Sequence, residues 1–550
     1  MTLRLRIALL AAVLFIGGIS LSFNRLDNEF EISKNLEIFV SIFRELNAFY
    51  VDDLNADKLV KTGIDAMLAS LDPYTTYINE EDMGDFNIQT TGKYGGIGAL
   101  IRTQDKYVII AEPYEGSPAQ RAGILAGDKL IEIDGKSAKG KNTDDVSKLL
   151  KGMPGTMVRL LIERFGESKP IEKTIRREEI HLKSVPYFGM VDSKTGYFRL
   201  NSFTEDCGKD VAKALETLKK QYNAQQIIFD LRDNPGGLLH EAVNVANVFI
   251  PRNEEVVSTR GREREWQKSY KTSRSPIDTN IPLVVLIDEG AASASEIVSG
   301  TIQDLDRGVV IGERSFGKGL VQSTKNIGYN GKLKVTTAKY YLPSGRCIQE
   351  IDYSTKDPNH RKMPDSLHTA FKTRSGRTVY DTGGIKPDIE LEKPYYGSIT
   401  AALLSKQLIF DYATQYRATH PTLPTPDKFE LSEDEYNDFV KFLSNKEYDY
   451  TTGSQQILKD FKESAAKEKY FDALSPEYIE LEKHLKSDKA KDLVKYKDEI
   501  KDLLEIEIAT RYYWQAGTIQ EALEDDIDVK KAIETLNNPA AYQKLLKGNK

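Results

Sequence analysis

Glu289-Gly-Ala-Ala-Ser-Ala-Ser-Glu-Ile297 and Gly312-Glu-Arg-Ser-Phe-Gly-Lys-Gly-Leu-Val-Gln322 decide how this chain is read, because together they supply a serine nucleophile and a base for it. The serine is Ser293 and the base is Lys318. A serine hydroxyl attacks poorly until a neighbour takes its proton, and a lysine amine does that near neutral pH only where burial or nearby positive charge favours its uncharged form. Histidine is not needed. The chain has six histidines, none in either segment, and the nearest, His240, follows a Gly-Gly turn and is a weak partner for a serine. Plainer readings compete. Ser293-x-x-Glu296 is a capping-box pattern ahead of Ile297, Val298, Ile302 and Leu305 at roughly helical spacing, so Ser293 could simply start a buried helix. Even so, a nucleophile at a helix start is chemically sensible, since the free N–H groups there favour negative charge on an adjacent oxygen.

The second segment must also be tested as a phosphate-binding loop. Gly312-x-x-x-x-Gly317-Lys318 matches most of that motif, but Gly319 stands where the magnesium-binding Ser or Thr belongs. The residues that follow, Leu320 to Thr324 and Lys332 to Tyr341, have the pattern of β-structure, whereas such a loop opens a helix.

With these segments in place, the chain resembles the C-terminal processing peptidases, or tail-specific proteases. That family carries a Ser-Ala-Ser-Ala-Ser-Glu-like segment, a Thr-Phe-Gly-Lys-Gly-like segment and a glutamine four residues after the lysine. Here those positions are Ser293, Lys318 and Gln322, with Ala291-Ala292 where Gly-Ser is common and Ser315 in place of threonine. Further matches are Leu71-Asp-Pro-Tyr-Thr-Thr-Tyr77, Asp230-Leu-Arg-Asp-Asn-Pro-Gly-Gly-Leu238, Tyr341-Leu-Pro-Ser-Gly-Arg-Cys-Ile-Gln349 and Gly384-Ile-Lys-Pro-Asp-Ile389, so the likeness runs from about Leu36 to about Leu391. It implies a Ser-Lys serine endopeptidase in which the Gln322 amide oxygen aims the lysine amine, the orienting task of any third triad member. It also implies an oxyanion hole made by the N–H groups of Gly237 and Ala294. The alternative is a non-catalytic scaffold built on a protease-like fold, against which the intact Ser293, Lys318 and Gln322 count.

Residues 88–180 form a separate module. Tyr94-Gly-Gly-Ile-Gly-Ala99 introduces a strand, and Ser117-Pro to Asp134-Gly135 supplies a turn, a short helix and a strand ending in a tight hairpin. This resembles a PDZ domain, which takes an extended peptide as an added strand and binds its terminal carboxylate on backbone N–H groups. The resemblance assigns that carboxylate site to Ile97, Gly98 and Ala99.

Residues 185–393 alternate short apolar runs with helical stretches, among them Gln226 to Asp230, Pro282 to Asp288 and Val309 to Gly312. They predict an α/β protease core, ClpP/crotonase-like by resemblance, with the PDZ domain inserted ahead of it. Residues 30–85 carry Leu36, Phe39, Val40 and Phe43, then Leu59, Ile64, Met67 and Leu68, at helical spacing, and predict helices packed on the protease core or joining subunits. Residues 394–550 predict an all-helical C-terminal domain, with a capping box at Ser432-x-x-Glu435 and an undecided role in docking, dimerisation or adaptor binding.

Composition narrows the rest. A length of 550 residues implies several domains, and a net charge of −7 without a long basic run gives no sign of nucleic acid. Cys207 and Cys347 have no metal-ligand spacing and are read as small buried side chains before a disulfide, so no metal or cofactor is expected. Arg4 and Arg6 precede an apolar run from Ile7 to Phe23, the layout of a signal segment over residues 1–25. We read an uncleaved membrane anchor, with Ser20-Leu21-Ser22 as the alternative cleavage site and the remaining chain in the cell envelope. The expected partners are protein substrates with free C-terminal tails; a homo-oligomer and an adaptor protein are left open.

Overall fold

Three of the apolar runs become neighbouring parallel strands, Gln226–Asp230, Leu283–Ile287 and Val309–Gly312, every residue of which is buried. They form the middle of a six-stranded sheet in the computed structural model, which describes residues 29–353, 368–393, 395–485 and 488–547. Thr195–Arg199 joins in parallel on one side and Ile389–Glu390 on the other, and Tyr187–Met190 closes the first edge antiparallel. Complete burial of these strands is why they read as continuous apolar runs without alternation. One face is covered by the helices Cys207–Lys220, Leu239–Phe249 and Ala294–Asp304. The opposite face, with Tyr197, Ile228, Val284, Leu286 and Ile311, is covered by Ile527–Leu536 and Pro539–Lys547 from the far end of the chain.

A second sheet follows the Gly317-Lys-Gly319 turn. Leu320–Gly328 and Gly331–Tyr341 form a long hairpin, flanked by Thr76–Ile78 and by Glu255–Gly261 with Lys268–Lys271. Because Leu320–Gly328 is a strand, the preceding Gly-Lys-Gly turn does not open a helix, and the phosphate-loop reading fails on geometry.

The module read as a PDZ domain has a six-stranded sheet in the order Ala99–Gln104, Tyr107–Pro113, Lys129–Ile133, Met157–Glu163 and Ile171–Arg176, with the short Lys136–Ser137 paired to Lys129–Ile133. The short helices Pro118–Arg121 and Thr143–Leu150 complete it around an apolar centre that includes Val108, Ile110, Leu130, Val158 and Leu160. Asp134 and Gly135, at φ +51° and +75°, make the expected tight turn. Ala99–Gln104 is an edge strand with Thr143–Leu150 beside it.

The C-terminal region is helical as expected, with Glu433–Leu443 opened by the Ser432–Glu435 capping box. It touches both other domains. Phe410 is stacked between the guanidinium groups of Arg102 on the PDZ edge strand and Arg511, at 3.4 and 4.2 Å, and Gln104 Nε2 donates to Asp411 at 2.7 Å. The expectation that the first helical stripe packs on the protease core is not met. The helix over 29–49 leaves Leu36, Phe39 and Val40 half or more exposed, with the Phe39 ring lying beside Gly63 of the following helix Ala56–Ala69. Cys207 and Cys347 are both free thiols. The apolar run from Ile7 to Phe23 lies outside the described residues, and among those described no helix is long and apolar enough to cross a membrane.

Candidate active site

Ser293 sits between the strand Leu283–Ile287 and the helix Ala294–Asp304, with φ +56° and ψ −108°. An ordinary helix cap has extended backbone, so this is a strained turn, at a cost of about 1–3 kcal/mol, that lifts a partly exposed serine out at the head of a buried helix. The neighbouring Ser295 is different. It is fully buried and its Oγ donates to the Asn234 carbonyl at 2.8 Å.

Glu296 explains how the turn is held. Its carboxylate, completely buried, accepts from the N–H of Ser293 at 2.7 Å, the N–H of Lys318 at 2.9 Å, the N–H of Gly317 at 2.7 Å and the Ser315 hydroxyl at 2.6 Å. Burial pushes this carboxyl up to about 7, and the four donors pull it back towards the charged form. The Tyr340 hydroxyl adds a second bridge, donating to the Lys318 carbonyl and lying 3.3 Å from the Ser293 carbonyl. The segments quoted above from sequence close around the same loop. Ser315 Oγ accepts from Ile385 N–H at 2.7 Å, and Gly319 N–H donates to Gln349 Oε1 at 2.7 Å. Gly384, at φ +75°, has no room for a side chain against the Ser315 carbonyl.

Lys318 is largely withdrawn from water, and burial lowers its ammonium to about 8, with the positive charge of Lys334 second and Glu296 and Asp72 acting the other way. Its Nζ lies 4.3 Å above the ring of Tyr74. Among the described residues no hydrogen bond joins Nζ to Ser293 Oγ or to Gln322 Oε1; the amine rests on the aromatic face instead. Gln322 follows on the outgoing strand, where its Nε2 donates to Thr336 Oγ1 at 3.2 Å. The structure thus brings Ser293, Lys318 and Gln322 into one region and leaves the lysine turned onto Tyr74.

The Asn234-Pro-Gly-Gly237 turn lies against the serine turn. Asn234 holds its own loop through Gly236 N–H and the Leu200 carbonyl, and its carbonyl accepts from Ala292 N–H at 3.0 Å. Gly236 is at φ +96°, and a Cβ there would stand 2.8 Å from the Ala294 nitrogen, so only glycine permits this approach. Gly237 bridges to Phe203 through its neighbours, Gly236 O and Leu238 N–H, which leaves the Gly237 N–H outside that bridge. On the PDZ side, the carbonyls of Ile97 and Gly98 accept from Ala119 and Tyr114 N–H at 2.8 and 2.9 Å. Gly98, at φ +76°, would place a Cβ 2.4 Å from Ser117 Cβ, so the loop before Ala99 depends on glycine.

Sequence reading missed three contributors. Glu296 was visible only as half of a capping box, its partners on the lysine loop being invisible locally. Tyr74 lay in a quoted segment with no signal of its place under Lys318. Tyr340 looked like one strand tyrosine among several.

Known proteins carry the same parts. A model of peptidase family S41 matches residues 194–356, a PDZ-domain model residues 109–164, and a model of a probable PDZ-protease C-terminal helical domain residues 399–536. The carboxy-terminal-processing protease of Bartonella bacilliformis is 37% identical over 405 residues, covering 72% of this chain and 92% of that protein. A probable CtpA-like serine protease of Staphylococcus aureus is 35% identical over 368 residues, 66% of each chain. The solved photosystem II D1 C-terminal processing protease aligns with 64% of this chain and 92% of its own at 27% identity and a TM-score of 0.35. Strand order, the strained serine turn and the buried lysine thus stand in a chain that belongs to peptidase family S41, the serine-type carboxy-terminal-processing proteases, and that joins its peptidase domain to a PDZ domain and a helical C-terminal domain.

Proposed function

We propose that this protease shortens or degrades extracytoplasmic proteins from their C-terminal tails, with Ser293 as nucleophile and Lys318 as its base. The observation that carries this reading is Glu296, whose single carboxylate holds the serine turn and the lysine loop together beside an amine lowered to about 8. In the reaction the neutral Lys318 amine turns off Tyr74, hydrogen-bonds to Gln322 and takes the Ser293 hydroxyl proton as Oγ attacks the peptide carbonyl. The N–H groups of Gly237 and Ala294 receive the developing oxyanion, helped by the start of the helix Ala294–Asp304. The lysine ammonium then gives its proton to the leaving amine, and a water deprotonated by the same amine releases the acyl group.

The tail enters the PDZ domain as a strand beside Ala99–Gln104, its carboxylate on the N–H groups of Ile97, Gly98 and Ala99. A cleavable peptide in free-acid and C-terminally amidated forms tests this. Amidation leaves oriented donors without a charged acceptor, about 1–3 kcal/mol, and should raise the substrate concentration needed by about fivefold or more. Equal cleavage of both forms at all concentrations would withdraw tail recognition while leaving the Ser-Lys chemistry standing.

Residues 1–25 favour export with retention at the membrane. The exposed Leu36, Phe39 and Val40 on the helix over 29–49 favour pairing with a second copy of the chain. Sedimentation of a variant with all three changed to serine, expected to remain monomeric, checks the pairing.

A further inference from the structure

A cavity of about 960 Å³ lies away from the serine. It is bounded by the Asp233 and Asp288 turns of the protease core, the short helix Pro426–Lys428, the long helix Lys497–Ala522 and the turn that follows it. Fourteen carboxylate side chains line it against five basic ones. Three of the basic groups are already engaged: Arg199 with Asp233 at 3.2 Å, Arg232 with Asp230, Asp526 and Asp528, and Lys501 with Glu505 at 4.0 Å.

Glu521 marks the cavity as built to receive something. It is only 7% exposed, and its Oε2 is buried without a hydrogen-bond partner among the described residues. A buried carboxylate oxygen with no donor is costly, and a ligand donor is one way to satisfy it. What surrounds it is further negative charge. Glu505 and Asp502 come from the arm of Lys497–Ala522 that precedes its break at Trp514, Glu524 from the turn after Glu521 and Asp427 from the short helix Pro426–Lys428. Lys501 and Lys428 are the basic groups on those same elements.

We propose that this cavity binds a linear polyamine. Among the described residues no three acidic, histidine or cysteine side chains converge as ligands of a single metal ion, so the charge to be matched is spread over several elements. A chain of spaced ammonium groups fits that spread, each donating to more than one carboxylate, and the volume suits a small organic ligand. Burial and the neighbouring carboxylates push Glu521 up to about 8, and burial pushes Glu505 up to about 7, so these carboxyls hold protons that a polyamine would displace. A carboxyl whose folded pKa is raised costs stability as pH rises through that value, and a bound cation reverses this.

The test is calorimetric titration of spermidine into the full chain carrying Ser293→Ala, at low salt. Saturable one-to-one binding is expected at pH 8.5, weaker by about tenfold or more at pH 6, where both carboxyls are protonated. The heat at pH 7.5 should vary with buffer ionisation as protons leave. Glu505→Gln with Glu521→Gln should weaken binding by at least a similar factor and remove the buffer dependence, while the exposed Glu480→Gln should bind as the parent does. Should the double variant not fold, the pH and buffer dependences of the parent decide alone. Absence of saturation, affinity that does not change between pH 6 and 8.5, or equal competition by magnesium chloride at matched ionic strength would overturn the proposal.

Discussion

The backbone N–H groups of Ser293 and Lys318 are held by one oxygen atom, Oε2 of Glu296, at 2.7 and 2.9 Å. Two loops that leave different strands of the sheet are thereby fixed to each other through main chain, whichever way the lysine side chain points. The loop that carries the lysine is thereby fixed relative to the serine turn.

Two serines two residues apart should behave oppositely. Ser293→Ala is expected to abolish peptide-bond hydrolysis and leave tail binding intact. Ser295→Ala removes a buried hydrogen bond to Asn234, costing about 1 kcal/mol, and should retain hydrolysis. Single-turnover cleavage and thermal melting of both variants check the pair; activity in Ser293→Ala would refute the assignment.

The pH profile follows from two groups. Lys318 must be neutral to act and sits at about 8, so kcat/KM should rise about tenfold per pH unit up to pH 8 and level off above. Glu296 protonates below about 7 and then loses acceptor strength towards both loops, so the fall should steepen there. Lys318→Arg keeps its proton throughout and should lose about 10³-fold at every pH. A flat profile between pH 6 and 8 would exclude lysine as the base.

Tyr74→Leu separates the resting place of the amine from its chemistry. The aromatic face favours the ammonium by about 0.5–1 kcal/mol, and leucine keeps the site apolar without that attraction. The rising limb below pH 8 should move to lower pH by about half a unit, with kcat/KM increasing at pH 7. An unmoved limb would mean that the ring only fills space.

Glu296→Gln tests the shared carboxylate. Glutamine leaves one oxygen for four donors and sets an amide NH2 against the others, costing about 1–3 kcal/mol for each donor left unpaired. Stability and kcat should both fall, KM should hold, and the extra steepening below pH 7 should disappear. Retention of that steepening in the variant would assign it to another group.

Much of this molecule was legible because the signals are local. Gly98 and Gly236 announce themselves by backbone angles that other residues avoid, and the buried strands by unbroken apolar runs. The Asp134-Gly135 turn and the Ser432–Glu435 box belong to the same class, as does the spacing of Ser293, Lys318 and Gln322. Tertiary structure decided what depends on solvent and on residues distant in sequence. The proton affinity of Lys318 comes from burial and Lys334, its resting place from Tyr74, and the cover on the second face of the sheet from the last two helices of the chain. The exposed stripe at 29–49 shows the same limit from the other side. Helical periodicity says that a face is apolar but not whether anything in the chain reaches it, because burial is a property of packing and not of the pattern.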